Sequence, residues 1–170
     1  MRRLYVFFLV LVLPGFVSGQ QFHFGKITVA TIDSLQSKDK ATRVSYDYPV
    51  GVSADYFPNR NQFSLAQPIS YDKKIGVFDF ETSYYFSKND SIVRLIEYSW
   101  QGAGKSGTAE YYKTIKANKE KISKHFKAAG KEVPATEENA AKTIWENELV
   151  YVEQFVIPRS YRIRVLISWK

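Results

Sequence analysis

Residues 76–100, GVFDFETSYYFSKNDSIVRLIEYSW, decide the fold class. Phe78, Phe80, Thr82, Tyr84 and Phe86 fall on one face of an alternating run, and Ile92, Ile96, Tyr98 and Trp100 fall on one face of the next. A period of two marks β-strands with one apolar face. Between them, Lys88-Asn89-Asp90 suits a three-residue hairpin loop, because Asn and Asp tolerate left-handed backbone. That loop predicts Phe86 opposite Ile92, Tyr84 opposite Arg94, Thr82 opposite Ile96, Phe80 opposite Tyr98 and Phe78 opposite Trp100. Aromatic and β-branched pairs of this kind add roughly 0.2–1 kcal/mol each. A four-residue loop would scatter them.

Working toward the C-terminus, the glycines of residues 102–107 break the strand. Thr108 is placed to cap a helix reaching about Ala129, with Gly130 as its stop. Tyr111, Ile115, Ile122 and Phe126 form one stripe, interrupted by Asn118, while lysines occupy the other faces. Residues 131–141, with Pro134, read as a linker. A second hairpin follows. Trp145, Leu149, Tyr151, Phe155 and Ile157 share one face, matched across Pro158-Arg159-Ser160 by Tyr161, Ile163, Val165, Ile167 and Trp169.

Toward the N-terminus the pattern is looser. Ile27, Val29 and Ile32 suggest a strand, and residues 43–48 a short one carrying Val44, Tyr46 and Tyr48. Residues 49–74 hold Pro49, Pro58 and Pro68 and show no clean period. Long irregular segments in compact domains tend to carry function, so the ligand surface is expected here, at Tyr56 and Phe57. The fold expected is α+β, an antiparallel sheet built from hairpins with one long amphipathic helix packed on one face. Its core would be ββ-α-ββ behind N-terminal strands.

The first nineteen residues read differently from the rest. Arg2 and Arg3 precede an apolar run, Leu4 to Leu13, and Pro14-Gly15 then breaks any helix. Val17 and Gly19 place small residues at the −3 and −1 positions. This is the layout of a cleavable secretory signal, and the run is about half the roughly 20 residues that span a bilayer. The expectation is a signal peptide over 1–19 and a single exported domain over 20–170, periplasmic or extracellular. No transmembrane segment is expected in the mature chain. Losing Arg2 and Arg3 lowers the formal charge from +7 to +5.

Composition excludes several chemistries. With 45% hydrophobic and 24% charged residues the chain is globular rather than disordered. It holds no cysteine, so disulfide scaffolds, thiolate metal sites and cysteine nucleophiles are out. Its two histidines, His23 and His125, form no spacing motif. No nucleophile–base set, metal set or cofactor motif assembles, and catalytic and metal-ligating residues are expected to be none.

Four features remain. Gly102-Ala-Gly-Lys-Ser-Gly-Thr108 resembles the end of a phosphate-binding loop, but the first glycine of that motif would fall at Ser99. The preceding strand is also hairpin-paired rather than buried in a parallel sheet. Only weak anion contact at Lys105 and Ser106 is expected. Arg94 and Glu153 interrupt apolar faces, and an unpaired buried charge is expensive. Either they meet, as a pair or as polar handles in an aromatic pocket, or both sit at the sheet margin and reach solvent. Glu81 and Glu97 share a polar face, a weak carboxylate-pair signal. Finally, seven lysines between 113 and 131, offset only by Glu120, allow weak polyanion contact but no nucleic-acid site, since base-stacking aromatics would have to lie beside them and most aromatics belong to apolar strand faces.

The functional expectation is a non-catalytic domain that binds an envelope protein or polysaccharide, with Arg94, Glu153, Tyr56 and Phe57 as ligand-binding candidates. The rival readings are a small hydrolase with an unrecognised carboxylate site, or a structural subunit of an envelope assembly.

Overall fold

The computed structural model describes residues 20–102, 104–137 and 140–170, without the side chains of Lys105 and Ser106. The expected signal segment, 1–19, lies outside the described residues. Helix α1 (Val29–Lys38) is followed by β1 (Thr42–Val44), β2 (Ile69–Ile75), β3 (Phe78–Phe86) and β4 (Val93–Gly102). Helix α2 (Thr108–Phe126) then precedes β5 (Lys131–Val133), β6 (Ala141–Glu146), β7 (Val150–Ile157) and β8 (Arg162–Trp169). All eight strands pair antiparallel in the order β1-β2-β3-β4-β8-β7-β6-β5. Among the described residues the fold is therefore α+β with an antiparallel sheet and two α-helices, each helix preceding a four-strand meander. Four strands, not two, stand on each side of α2.

The first hairpin forms by a route different from the one expected. Ser87 donates its backbone N–H to Ile92 O at 3.0 Å, which leaves a four-residue loop, Lys88–Ser91, with Ser91 left-handed at φ 55°. Such a loop would put the wrong residues opposite each other. A bulge restores the phase, because Phe86 faces Val93 while Tyr85 faces Leu95, and Arg94 is the extra residue. Phe80 thus lies opposite Trp100, Thr82 opposite Tyr98 and Tyr84 opposite Ile96. The apolar residues share a face as expected, in a register shifted by two.

The last hairpin differs more. Asn147 Oδ1 accepts from Leu149 N (2.9 Å) and Val150 N (2.8 Å), making a turn that splits the supposed long strand into β6 and β7. Across β7 and β8, Val156 faces Ile163 and Val152 faces Ile167. The even-numbered residues of β7 therefore join the helix-side core, and Tyr151, Glu153 and Phe155 face away from it. The core face of β8 is the expected one, whereas that of β7 is displaced by one residue.

Other departures follow from short-range pattern. Ile27 O accepts from Val93 N, but from Val29 the chain is helical, with Ile32 buried. Residues 69–75, inside the aperiodic stretch, pair as β2, and residues 131–133 in the supposed linker pair as edge strand β5. Helix α2 starts at Thr108 behind Gly107 and ends at Phe126, where Lys127 is left-handed at φ 53°. Gly130 serves another purpose. A Cβ there would lie 2.5 Å from the Trp145 ring and from Thr143.

One large core lies between the helices and the sheet, gathering Ile32 of α1, Tyr111 and Ile122 of α2, and Phe80, Tyr84, Ile96, Tyr98, Trp100, Ile163, Val165 and Ile167. A second, smaller core lies on the opposite face. Val52 and Phe57 of the β1–β2 connection pack there against Tyr85, Leu95, Phe155 and Leu166, with Tyr56, Phe63 and Leu65 beside them. The domain is three layers deep: helices, sheet and loop. Among the described residues no helix is long and apolar enough to cross a membrane.

Candidate functional site, a groove under the aromatic loop

The loop-covered face of the sheet carries most of the buried charge. Register places Glu153 between Ile144 on β6 and Leu166 on β8, and only 4% of the residue is exposed. A carboxylate so placed needs donors. Lys142, one pair along on β6, supplies its Nζ at 2.6 Å, and the Tyr151 hydroxyl donates to the same oxygen at 3.1 Å. Burial, then the adjacent Glu153 charge, raises the Tyr151 phenol above its ordinary range. Tyr151 is therefore a hydrogen-bond donor and not a base.

A second charged pair stands nearer the middle of the same face. Arg164 holds Glu97 through Nε at 2.6 Å and Nη2 at 2.5 Å, and the Tyr85 hydroxyl donates to the other carboxylate oxygen at 3.4 Å. Burial works against the guanidinium charge, but Glu97 outweighs it and the Arg164 pKa rises. Burial, then Glu97, raises the Tyr85 phenol. The Arg164 guanidinium lies 4.2 Å from the centroid of Tyr56, whose ring stands edge-on to Phe155 at 5.1 Å. Glu81 completes the band, accepting from Tyr46 OH and Ser83 Oγ, each at 2.7 Å.

These elements enclose a groove of about 310 Å³ between residues 55–59 and the sheet, lined by Tyr56, Phe57, Lys142, Tyr151, Glu153 and Leu166. A second hollow of about 350 Å³ is also lined by Tyr56 and Lys142 and extends to Phe155 and Pro134. The largest depression, about 860 Å³, is open and charge-lined, and includes Asp79, Glu81, Gln101 and Arg162. The groove is the better candidate, since it combines aromatic walls with a few convergent polar groups.

Three of the four residues expected to bind a ligand thus line one cavity: Tyr56, Phe57 and Glu153. Phe57 contributes chiefly to packing, 4% exposed and stacked on Phe63 at 5.9 Å. Arg94 does not join them. As the bulge residue it pairs with Asp90 and lays its guanidinium over Phe63 at 4.8 Å. Arg94 and Glu153 make no ion pair with each other, and Glu153 is buried in the sheet rather than solvent-reaching. Both readings of that pair are corrected by the partners each one finds. The side chains of Lys105 and Ser106 lie outside the described residues. Their backbone forms a 3-10 turn over Gly104–Gly107.

Nothing in the sequence singles out Lys142 or Arg164, and it marks Tyr151 only as an apolar-face residue and Glu97 only as a neighbour of Glu81. One signal existed. Residues 150–157, VYVEQFVI, are apolar in both phases, the mark of a strand covered on both faces. Glu81 and Glu97 share a face but have separate partners, so these two carboxylates do not share one proton. Among the described residues no three of His, Asp and Glu come close enough to hold a metal ion. Comparison with family models, with curated proteins and with solved structures returns no match.

Proposed function

We propose that the chain is an exported, non-catalytic binding domain of the cell envelope, and that its ligand lies in the groove between Tyr56 and Glu153. The observation that carries this reading is the convergence of the loop pair Tyr56 and Phe57 with Glu153, distant in sequence, in one cavity. Both buried carboxylates of the face are already neutralised by Lys142 and Arg164, which favours holding a ligand over moving its protons. An aromatic wall beside fixed donors and acceptors suits a polyhydroxylated ligand. A sugar ring can lie on Tyr56 while its hydroxyls exchange hydrogen bonds with Glu153 and Lys142. An envelope polysaccharide is therefore the ligand class. Export rests on the basic, apolar and small-residue order of residues 1–19, and the lysines of α2 support weak attraction to an anionic surface.

Titration calorimetry with soluble envelope polysaccharide fractions tests the site. Tyr56→Ala is expected to weaken binding at least tenfold, and Tyr151→Phe less. Unchanged binding in both variants would refute the groove. Sequencing the N-terminus of the exported protein tests the address, with Gln20 expected as the first residue.

A further inference from the structure

A second cavity lies on the other side of the sheet, where α2 passes the β2–β3 turn. It holds about 300 Å³, at the small end of ligand pockets, and its walls are apolar: Ile75, Val77, Phe78 and Trp100. The turn that shapes its mouth is tight, with Gly76 at φ 57° between paired Ile75 and Phe78. Val77 at its tip stays 41% exposed, one of four exposed large hydrophobic residues among those described.

The polar groups lining this cavity are incompletely used. Asn118 interrupts the apolar stripe of α2 and is 4% exposed, yet its Nδ2 has no partner among the described residues. Gln20 is 5% exposed, and its Oε1 likewise has none. Buried amide atoms of this kind are rare and each calls for an explanation. Lys113 and Lys121 also line the cavity, and neither makes an ion pair among the described residues. Lys121 reaches only the backbone oxygen of Gln20, at 3.1 Å. Against these two cations the lining has one acid, Glu110.

We propose that this cavity binds a small anionic amphiphile, its apolar body against Phe78 and Trp100 and its acidic head at Lys121. Charge complementarity selects an anion over a cation or a neutral alcohol, and the apolar walls require more than an inorganic ion. The unpartnered Asn118 amide stands among the same lining residues as a further donor. Burial also holds the Lys121 amine below its ordinary pKa, a depression that an adjacent anion would reverse. The site lies on the helix side of the sheet and is independent of the groove at Tyr56.

The test is a titration of the ¹⁵N-labelled domain with octanoate, octylammonium and octanol, followed through the Trp100 indole and the backbone amides of Val77 and Asn118. Octanoate is expected to give saturable shifts confined to these residues, with octylammonium and octanol at least tenfold weaker. Lys121→Ala should weaken octanoate about tenfold. Val77→Glu, an exposed turn position that leaves the core intact, should abolish it by placing a carboxylate at the mouth. Equal binding of octanoate and octylammonium, shifts that do not saturate, or shifts centred on Tyr56 would each overturn the proposal.

Discussion

Glu153 Oε1 accepts from both Lys142 Nζ and Tyr151 OH, while its neighbours across the sheet are Ile144 and Leu166. Removing one partner of a buried pair is far worse than removing both, because it strands a charge. Lys142→Met is therefore expected to destabilise the domain by about 3 kcal/mol. That is the low end of the usual range for buried pairs, since the Lys142 side chain is 28% exposed. The double variant Lys142→Met with Glu153→Leu should recover most of that loss. Denaturant unfolding of the three proteins measures it, and equal losses in single and double variants would show the pair to be unimportant. At this scale the sequence was informative about which residues are unusual and silent about why. Arg94 and Glu153 both stood out as charges in apolar runs. One is an extra residue in a bulge and the other a paired charge in a central strand, and only the register separates those cases.

The β3–β4 hairpin shows how an element can satisfy its hydrophobic pattern with a loop of the wrong parity. Loop Lys88–Ser91 alone would turn half the apolar set away from the core, and the added residue at 94 turns it back. The bulge absorbs one residue of chain length, so deletion at Arg94 and deletion within the ladder should differ. Deleting Arg94 is expected to keep the cooperative unfolding transition, because Phe86–Val93 and Tyr85–Leu95 become consecutive pairs and every pair beyond keeps its face. Deleting Ser99, which is paired with Glu81, is expected to abolish that transition, because Trp100 slips to the opposite face. Arg94→Ala should cost only about 1 kcal/mol, the scale of a partly exposed ion pair and its stacking. Near-UV circular dichroism and denaturant unfolding distinguish the two deletions, and similar effects would sink the parity argument. Ser91 tests the loop itself. Its φ of 55° suits glycine, so Ser91→Gly is expected to stabilise the hairpin by up to about 1 kcal/mol. Strand β3 is legible where β7 is not, because its second face is polar but for Tyr85. Phe78 to Phe86 alternate between core and polar face, whereas β7 packs Val150 and Val152 on one side and Phe155 on the other, which leaves no alternation to read. The split at Asn147 was missed because Trp145 and Leu149 happen to keep the phase of Tyr151. Residues 29–38 were misread because three apolar residues cannot distinguish the two periods.

For the whole molecule, tyrosine hydroxyls fasten the outer layers to the sheet. Tyr71 of β2 donates to Asp33 of α1, and Tyr84 of β3 accepts from Gln36 of the same helix. Tyr46 of the loop donates to Glu81 of β3, and Tyr98 of β4 accepts from the backbone of His23. Burial, aided at Tyr46 and Tyr71 by a neighbouring carboxylate, pushes Tyr46, Tyr71 and Tyr84 up to about 12. Burial also raises Tyr98 well above its ordinary range. In the unfolded chain the same phenols ionise near about pH 10. Their folded values are higher, so the stability they contribute is complete below about pH 10. It erodes as the unfolded state begins to release its protons, and is lost as the pH passes the folded values near 12. The expected outcome is alkaline unfolding between pH 10 and 12, with α1 and the β1–β2 loop leaving the sheet as the phenols ionise. Absorbance at 295 nm should show the fastening tyrosines titrating only together with the loss of far-UV dichroism. A single titration of all twelve tyrosines near pH 10 with dichroism unchanged would mean that these hydroxyls do not hold the layers. Tyr84→Phe sharpens the test. It keeps the ring in the core and removes one ionisable tie, so it should move the alkaline midpoint upward while lowering stability at neutral pH by about 1 kcal/mol, the net value of one hydrogen bond.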